Sequence, residues 1–297
     1  MLAQIILTPA ESKKLIAKAV ANMDIVRKAA KDGMVVLHPS SSTYFIVEEL
    51  IGDKPDTNFW VCGVVAPRGN CIEMGILVGD FLPRDKSTDP GDFRTWWIIK
   101  NVKLTIGEKV SDLLQQVRPT DVFIKGVNAL DPQGNVGILI GDPLEGGPMG
   151  RIISFWRKNP FHLVFPVGLE KLIPTPVGVA AREAKLTKYD YAMGLATGLL
   201  PCPNGENVSV ITEIEAIKIL SGAAAVPVAA GGLGGAEGAI TLILKGNAEQ
   251  VKKAIKLVEQ SKGAKLPDLR LGINCKECPS AHCQFPVGNK PWVRAGG

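Results

Sequence analysis

Short apolar runs alternate along the chain with longer stretches in which apolar residues recur every three or four positions. The first pattern is that of buried strands and the second that of helices with one buried face. Thr8-Pro9-Ala10-Glu11 reads as a capping box with proline in the first turn. Leu15, Ala19, Met23 and Val26 follow at helical spacing, which predicts one helix to about Lys31 with Gly33 as its stop. Residues 34–37 predict a buried strand, 38–43 a loop and 44–51 a helix stopped by Gly52. Strands are expected at 59–65 and 71–79, on either side of the turn Pro67-Arg68-Gly69-Asn70, and again at 96–100, 121–125, 136–140 and 161–167. Helices are expected at 107–117, ended by Pro119, and at 150–158. The polar segment 84–92 reads as a surface loop. Strands that alternate with helices predict an α/β fold, a mostly parallel sheet with helices on both faces.

The composition shifts near Pro174-Thr175-Pro176, and a second pattern begins at about residue 185. It predicts a strand at 208–212, a helix at 213–220 and strands at 226–230 and 239–245. A last helix is capped by Asn247, with Gln250 as box partner, and stopped by Gly263. Strand, helix, hairpin and helix in that order predict a small ferredoxin-like α+β layer. The expected division is 1–184 for the ligand-binding domain, 185–266 for the small domain and 267–297 for a cysteine-containing tail.

At 297 residues the chain is long enough for two domains, and 46% hydrophobic with 21% charged residues marks it as globular. The net charge of +5 is spread out, and no Lys/Arg run is interleaved with aromatics. Nucleic acid is therefore not expected as a partner, whereas an anionic small molecule fits. The N-terminal MLAQIILTPA lacks a basic flank and its apolar run is too short for a signal peptide. The most apolar region, 223–239, is broken by Pro227 and several glycines, so no membrane association is expected and the cytoplasm is the expected compartment. The run Gly231-Gly232-Leu233-Gly234-Gly235 has dinucleotide-like spacing, but a strand pattern follows it instead of a helix. No nicotinamide cofactor is expected, and the run reads as a hairpin able to act as a lid.

Ser40, Ser41, Ser42 and Thr43 stand between a buried strand and a helix start, where hydroxyls and free amides suit a phosphate or carboxylate. The alternative is that they only cap the helix. His38 shares the loop. Lys125, Asn128 and Asp131 follow a strand end, where ligands bind in open α/β sheets, although Asn128 and Asp131 equally suit an Asx turn with Pro132-Gln133-Gly134. Arg151, near a helix start, is either an anion clamp or a solvated charge. Cys275, Cys278 and Cys283 have C-x2-C-x4-C spacing with His282 adjacent, and Cys202 in a distant turn completes a set of four. That set suits zinc or an iron–sulfur cluster; the alternative is a thiol-rich tail or a disulfide. Cys62 and Cys71 lie in apolar strands and read as core. Trp96-Trp97 and Phe155-Trp156 read as packing.

The segments GMVVLHPSSST, GVNALD and GDPLEGGPMGRI together resemble the superfamily of ribose-5-phosphate isomerase, DeoR-type sensor domains and CoA-transferases. Within it, GNVGILIGDPLEGGPMGRI followed by FHLVFPVGLEKLIPT is similar to the lactate-utilization (LUD) domain, matched at His162, Val164, Gly168, Glu170, Lys171, Pro174 and Thr175. The resemblance covers about residues 10–180. It implies an isomerase/CoA-transferase type of fold, with ligand phosphate held at Ser40, Ser41, Ser42 and Thr43 and a glycine turn at Gly146 and Gly147. His38-Pro39 and serines replace the family's glycines. Asn128 and Ala129 stand where isomerase acids belong, Asp131 is retained, and Arg151 replaces a glutamate, so ribose-5-phosphate isomerisation is not expected. Glu145 is the analogue of the CoA-transferase nucleophile, or else an exposed turn residue. Asp131 and Glu145 are thus the catalytic candidates. The expectation is a protein that binds an organic acid, sugar phosphate or acyl-CoA, as an enzyme or component of organic-acid metabolism with a metal or iron–sulfur site. The alternative is a non-catalytic sensor or accessory protein with structural zinc. A homo-oligomer or an iron–sulfur protein partner accompanies either reading.

Overall fold

The computed structural model describes residues 1–57, 61–66, 69–74, 96–106, 108–141, 146–184, 189–190, 192–194 and 196–267. The expected loop at 84–92, Glu145 and the cysteines of the tail lie outside them, as do the side chains of Cys62 and Cys71.

The chain opens with β1 (Leu2–Leu7), which leads into α1 (Pro9–Asn22). The Thr8 capping box forms, with Glu11 Oε2 accepting from Thr8 N at 2.9 Å. The single helix expected to Lys31 is two, because Met23 is extended (φ −65°, ψ 132°) and α2 (Asp24–Asp32) restarts after it. Asn22 turns its side chain back onto Lys18 O, and Asp24 places a carboxylate in the new first turn. Beyond the break α2 packs on β2, β5 and β7. Next come β2 (Val35–Leu37), α3 (Ser41–Ile51), β3 (Val61–Ala66), β4 (Gly69–Met74), β5 (Trp97–Lys100) and β6 (Lys103–Ile106). α4 (Val110–Gln116), β7 (Val122–Ile124), β8 (Ala129–Leu130), β9 (Val136–Ile140), α5 (Gly147–Trp156) and β10 (His162–Pro166) follow. A 3₁₀ turn at Leu169–Lys171 precedes α6 (Val177–Glu183), β11 (Gly198–Pro201), β12 (Val208–Ile211), α7 (Glu213–Ser221), β13 (Ala224–Ala230), β14 (Ile240–Lys245) and α8 (Ala248–Ser261).

The architecture is mixed α/β. Its central sheet has six strands in the order β12-β10-β7-β2-β5-β6. The first four are parallel, with Val36 paired to Phe123 and Leu163 to both Phe123 and Val208, whereas β5 pairs antiparallel with β2 and β6 antiparallel with β5. The runs VVL, VFI and LVF have no polar position because both faces of these strands are buried. Val36 and Phe123 meet Leu113 of α4 and Ile152 of α5 around an apolar cavity of about 20 Å³. α1 packs against α3, α7, α8 and β10.

Hydrogen bonding crosses residue 184 in both directions. The strand at 208–211, expected in the small layer, lies beside β10 in the central sheet. Its place beside β14 is taken by β1, in a three-stranded antiparallel sheet ordered β1-β14-β13. β1 alternates exposed Leu2 and Ile6 with buried Ile5 and Leu7, so one face joins the core. β11, β9 and β8 form a third sheet, and β3 and β4 a hairpin. Among the described residues no helix is long and apolar enough to cross a membrane.

Phe165 is wholly buried at the centre of β10. Phe165→Ala is expected to cost about 3–5 kcal/mol of stability, read from urea unfolding. A loss below about 1 kcal/mol would show that β10 is not at the centre of the core.

Candidate functional site

Because β2, β7, β10 and β12 are parallel, the segments leaving their carboxyl ends share one edge of the sheet. They are His38 to Ser42, Lys125 to Asn128, Gly168 to Lys171, and Thr212 with Glu213.

Ser40 is extended and caps α3, its Oγ accepting from Thr43 N at 3.2 Å and bonding Thr43 Oγ1 at 2.9 Å. Thr43 Oγ1 donates to His38 O at 2.6 Å. These two hydroxyls are therefore used in the cap. Ser41 and Ser42 stand in the first helical turn, where the helix offers their amides no carbonyl. Ser42 is 3% exposed. The segment after β7 comes close against this loop. A Cβ at Gly126 would lie 2.9 Å from Ser40 Oγ and 3.6 Å from Ser42 Cβ, so a side chain there would displace the capping hydroxyl.

Lys125 is half-buried and its Nζ lies 3.1 Å from His38 Nδ1, an atom that also lies 2.9 Å from Pro39 O. The neutral tautomer with the proton on Nδ1 bonds Pro39, and the other accepts from Lys125. Burial, followed by the Lys125 charge, holds the His38 pKa well below its ordinary value against the pull of the Pro39 carbonyl. The ring is neutral at pH 7, packed edge-on against Trp96 at 4.9 Å between centroids.

Lys171 donates from Nζ to Val127 O at 2.6 Å. Burial lowers its pKa to about 8; the Lys13 and Lys125 charges push the same way and Glu170 opposes them. Glu170 is itself paired with Lys13 at 2.6 Å. Glu213 is fully buried and accepts from Leu169 N at 2.9 Å. Burial raises its pKa, hydrogen bonds from Ser12 and Leu169 lower it, and Glu170 adds to the rise. Sequence reasoning gave none of Lys13, Lys171 and Glu213 a site role. Lys171 and Glu170 stood in the LUD-like motif, which was the available signal.

The other candidates have different surroundings. Asp131 is 2% exposed and accepts from Gln133 N, Asn135 N, Asn135 Nδ2 and Val177 N, all within 3.0 Å. Burial raises its pKa, but the bonds from Val177, Asn135 and Gln133 outweigh it and leave the pKa below the ordinary value. Its geometry is that of the Asx turn, and a carboxylate so held carries no proton to donate at neutral pH. Asn128 Oδ1 accepts from Leu139 N at 3.0 Å, which ties it to β9. Gly146 (φ 75°) and Gly147 (φ 62°) open α5 beside Leu200 and Ile140, and Arg151 lies half-buried in the second turn of that helix. The structure thus gathers Ser40, Ser42 and Thr43 with His38, Lys125 and Gly126, while Gly146 and Gly147 adjoin β9 and β11.

Cys202 is half-buried. Burial pushes its thiol up to about 12, with the Lys125 charge opposing, so it lies within the field of that lysine. Cys275, Cys278, His282 and Cys283 lie outside the described residues, among which no cluster of three or more His, Cys, Asp or Glu suits a metal.

Comparison with protein-family models, curated proteins and solved structures finds no match to the chain. The likeness to the LUD domain is carried by the quoted motifs alone.

Asp131→Ala leaves several buried amides without an acceptor and is expected to cost about 1–3 kcal/mol at pH 7. A carboxyl with a depressed folded pKa contributes stability above its unfolded value of about 3.9, and that contribution is lost as pH falls further. The gap between wild type and variant in urea unfolding should therefore be constant from pH 7 to about 5 and shrink below about 4. A gap that widens with acid would contradict the turn role.

Proposed function

We propose that the carboxyl edge of β2, β7 and β10 binds an anionic small metabolite and that the chain serves organic-acid metabolism, as an enzyme or an enzyme component. The observation that carries this reading is the start of α3 at Ser41 and Ser42, set against the segment that bears Lys125. The dipole of α3, the first-turn amides and the Lys125 charge all favour a negative ligand at that point. An organic acid, a sugar phosphate and an acyl-CoA each offer such an oxygen. The LUD-like motif favours the organic acid. On this reading the six-stranded sheet is an isomerase/CoA-transferase type of ligand layer and the β13–β14 hairpin with its helices a ferredoxin-like annex.

One observation favours a non-catalytic sensor or accessory protein: the Asp131 carboxylate is fully engaged in its turn. The thiol set of Cys202, Cys275, Cys278 and Cys283, with His282 as alternative, is proposed to hold zinc or an iron–sulfur cluster. A bound cation would replace the Cys202 proton and supply the charge that burial otherwise disfavours.

Isothermal calorimetry with lactate and with inorganic phosphate tests the pocket. Ser42→Ala and Lys125→Gln are each expected to weaken binding about tenfold, or about 1.4 kcal/mol. Heat of binding unchanged in both variants, or absent from the wild type, would reject the site. Metal analysis of anaerobically purified protein should give stoichiometric iron or zinc that Cys202→Ser reduces. A metal-free wild type would reject the thiol set as a metal site.

A further inference from the structure

The antiparallel sheet β1-β14-β13 carries α1, α7 and α8 on one face. Its register defines the other face, because directly paired residues point to the same side of a sheet. Leu2 pairs with Lys245, Gln4 with Ile243 and Ile6 with Thr241. Val226 stands on the far side of Ile243. Leu2 is 69% exposed, Ile6 51% and Val226 52%, so this face presents apolar side chains from both outer strands to water. A contiguous apolar patch on so regular a surface marks an interface.

The edges of the sheet are less open than its face. On β13, Pro227 and the irregular register between Pro227 and Ala229 interrupt an edge strand, which discourages a further strand from pairing with it. On β1, Lys262 Nζ donates to Ile6 O at 2.6 Å. A partner therefore fits on the face better than in line with the strands.

We infer that a second copy of this chain covers the face, sheet on sheet, about a two-fold axis that crosses the strands at the Ile243 row. Three strands about 4.8 Å apart, each of about six residues at about 3.3 Å, make a face of about 300 Å² in plan. Side chains standing on it expose more than the plan. Two such faces together remove on the order of 1,000 Å² from water, about the least that a specific interface needs. Charge selects the axis. Lys245 is the one charged residue of these rows, and it stands at one end of them. An axis along the strands would set Lys245 against its own equivalent. An axis across them sets it over Thr241, toward the hairpin loop where Glu237 offers an exposed carboxylate. Leu2 then packs on Ile6 of the second copy, and Ile243 and Val226 each meet their own equivalents. The contact is isologous and closes at two copies. The anion reading above does not enter this inference.

Sedimentation velocity on the full chain over about 1–100 µM is the test, since an interface at the small end of the range predicts a micromolar dissociation constant. A species of twice the 31.7 kDa chain mass is expected. Val226→Asp opposes two carboxylates near the axis, and Ile6→Asp sets one over Leu2. Each should weaken the dimer about tenfold or more. Val102→Asp, at an exposed valine between β5 and β6, should leave it unchanged. Hydrogen exchange of the wild type, above and below the association midpoint, should slow at 2–7 and 224–230 as the dimer forms. That measurement decides the matter even if the Asp variants fail to fold. A wild type that stays monomeric at the highest concentration overturns the inference. So does a dimer that both Asp variants retain, or one that forms without slowing exchange in those strands. A monomer that floats with phosphatidylglycerol vesicles gives the face to lipid, and one cross-linked from Lys245 into residues 268–297 gives it to the chain's own end. Either outcome overturns the second copy.

Discussion

Four short apolar strands hydrogen-bonded in parallel are the constraint from which the rest of the structure follows. Parallel pairing fixes all four carboxyl ends on one edge, and burial of both faces of β2, β7 and the Leu163–Phe165 run of β10 leaves no polar side chain until those strands stop. The chain's chemistry is accordingly found in strand exits. His38 follows β2, Lys125 follows β7, Lys171 follows β10 and Glu213 follows β12. Residues far apart in sequence meet there because sheet order, not chain order, sets their neighbours.

Burial then does to these groups what solvent would not. It keeps His38 neutral, lowers Lys171 and raises the Cys202 thiol. All three respond to the charge of Lys125, which makes that ammonium the common electrostatic partner of the edge. Asp131 shows the opposite outcome. It is buried as deeply, but main-chain amides surround it, and it keeps its charge as a turn device. Depth alone does not mark a functional group; the match between a charge and its hydrogen bonds does.

β2, β7 and β10 were legible because a buried parallel strand has no polar face to obscure its apolar run, whereas β6 (KLTI), which alternates, was not expected. The capping boxes at Thr8, Thr212 and Asn247 form from residues that act locally. What could not be read was partnership. β12, expected in the small layer, joins the central sheet, and β1, where no strand was expected, joins β14; nothing within LAQIIL or VSVI distinguishes one partner strand from another. The break at Met23 likewise interrupts a helical period that continues in the sequence, so periodicity alone does not set where α1 ends. At the site, the Ser40 loop and Lys125 were visible as a helix start and a strand end. Lys171 appeared as an ordinary charged residue in a motif, because the neighbours that change its behaviour lie elsewhere in the sequence, at Lys13, Lys125 and Val127.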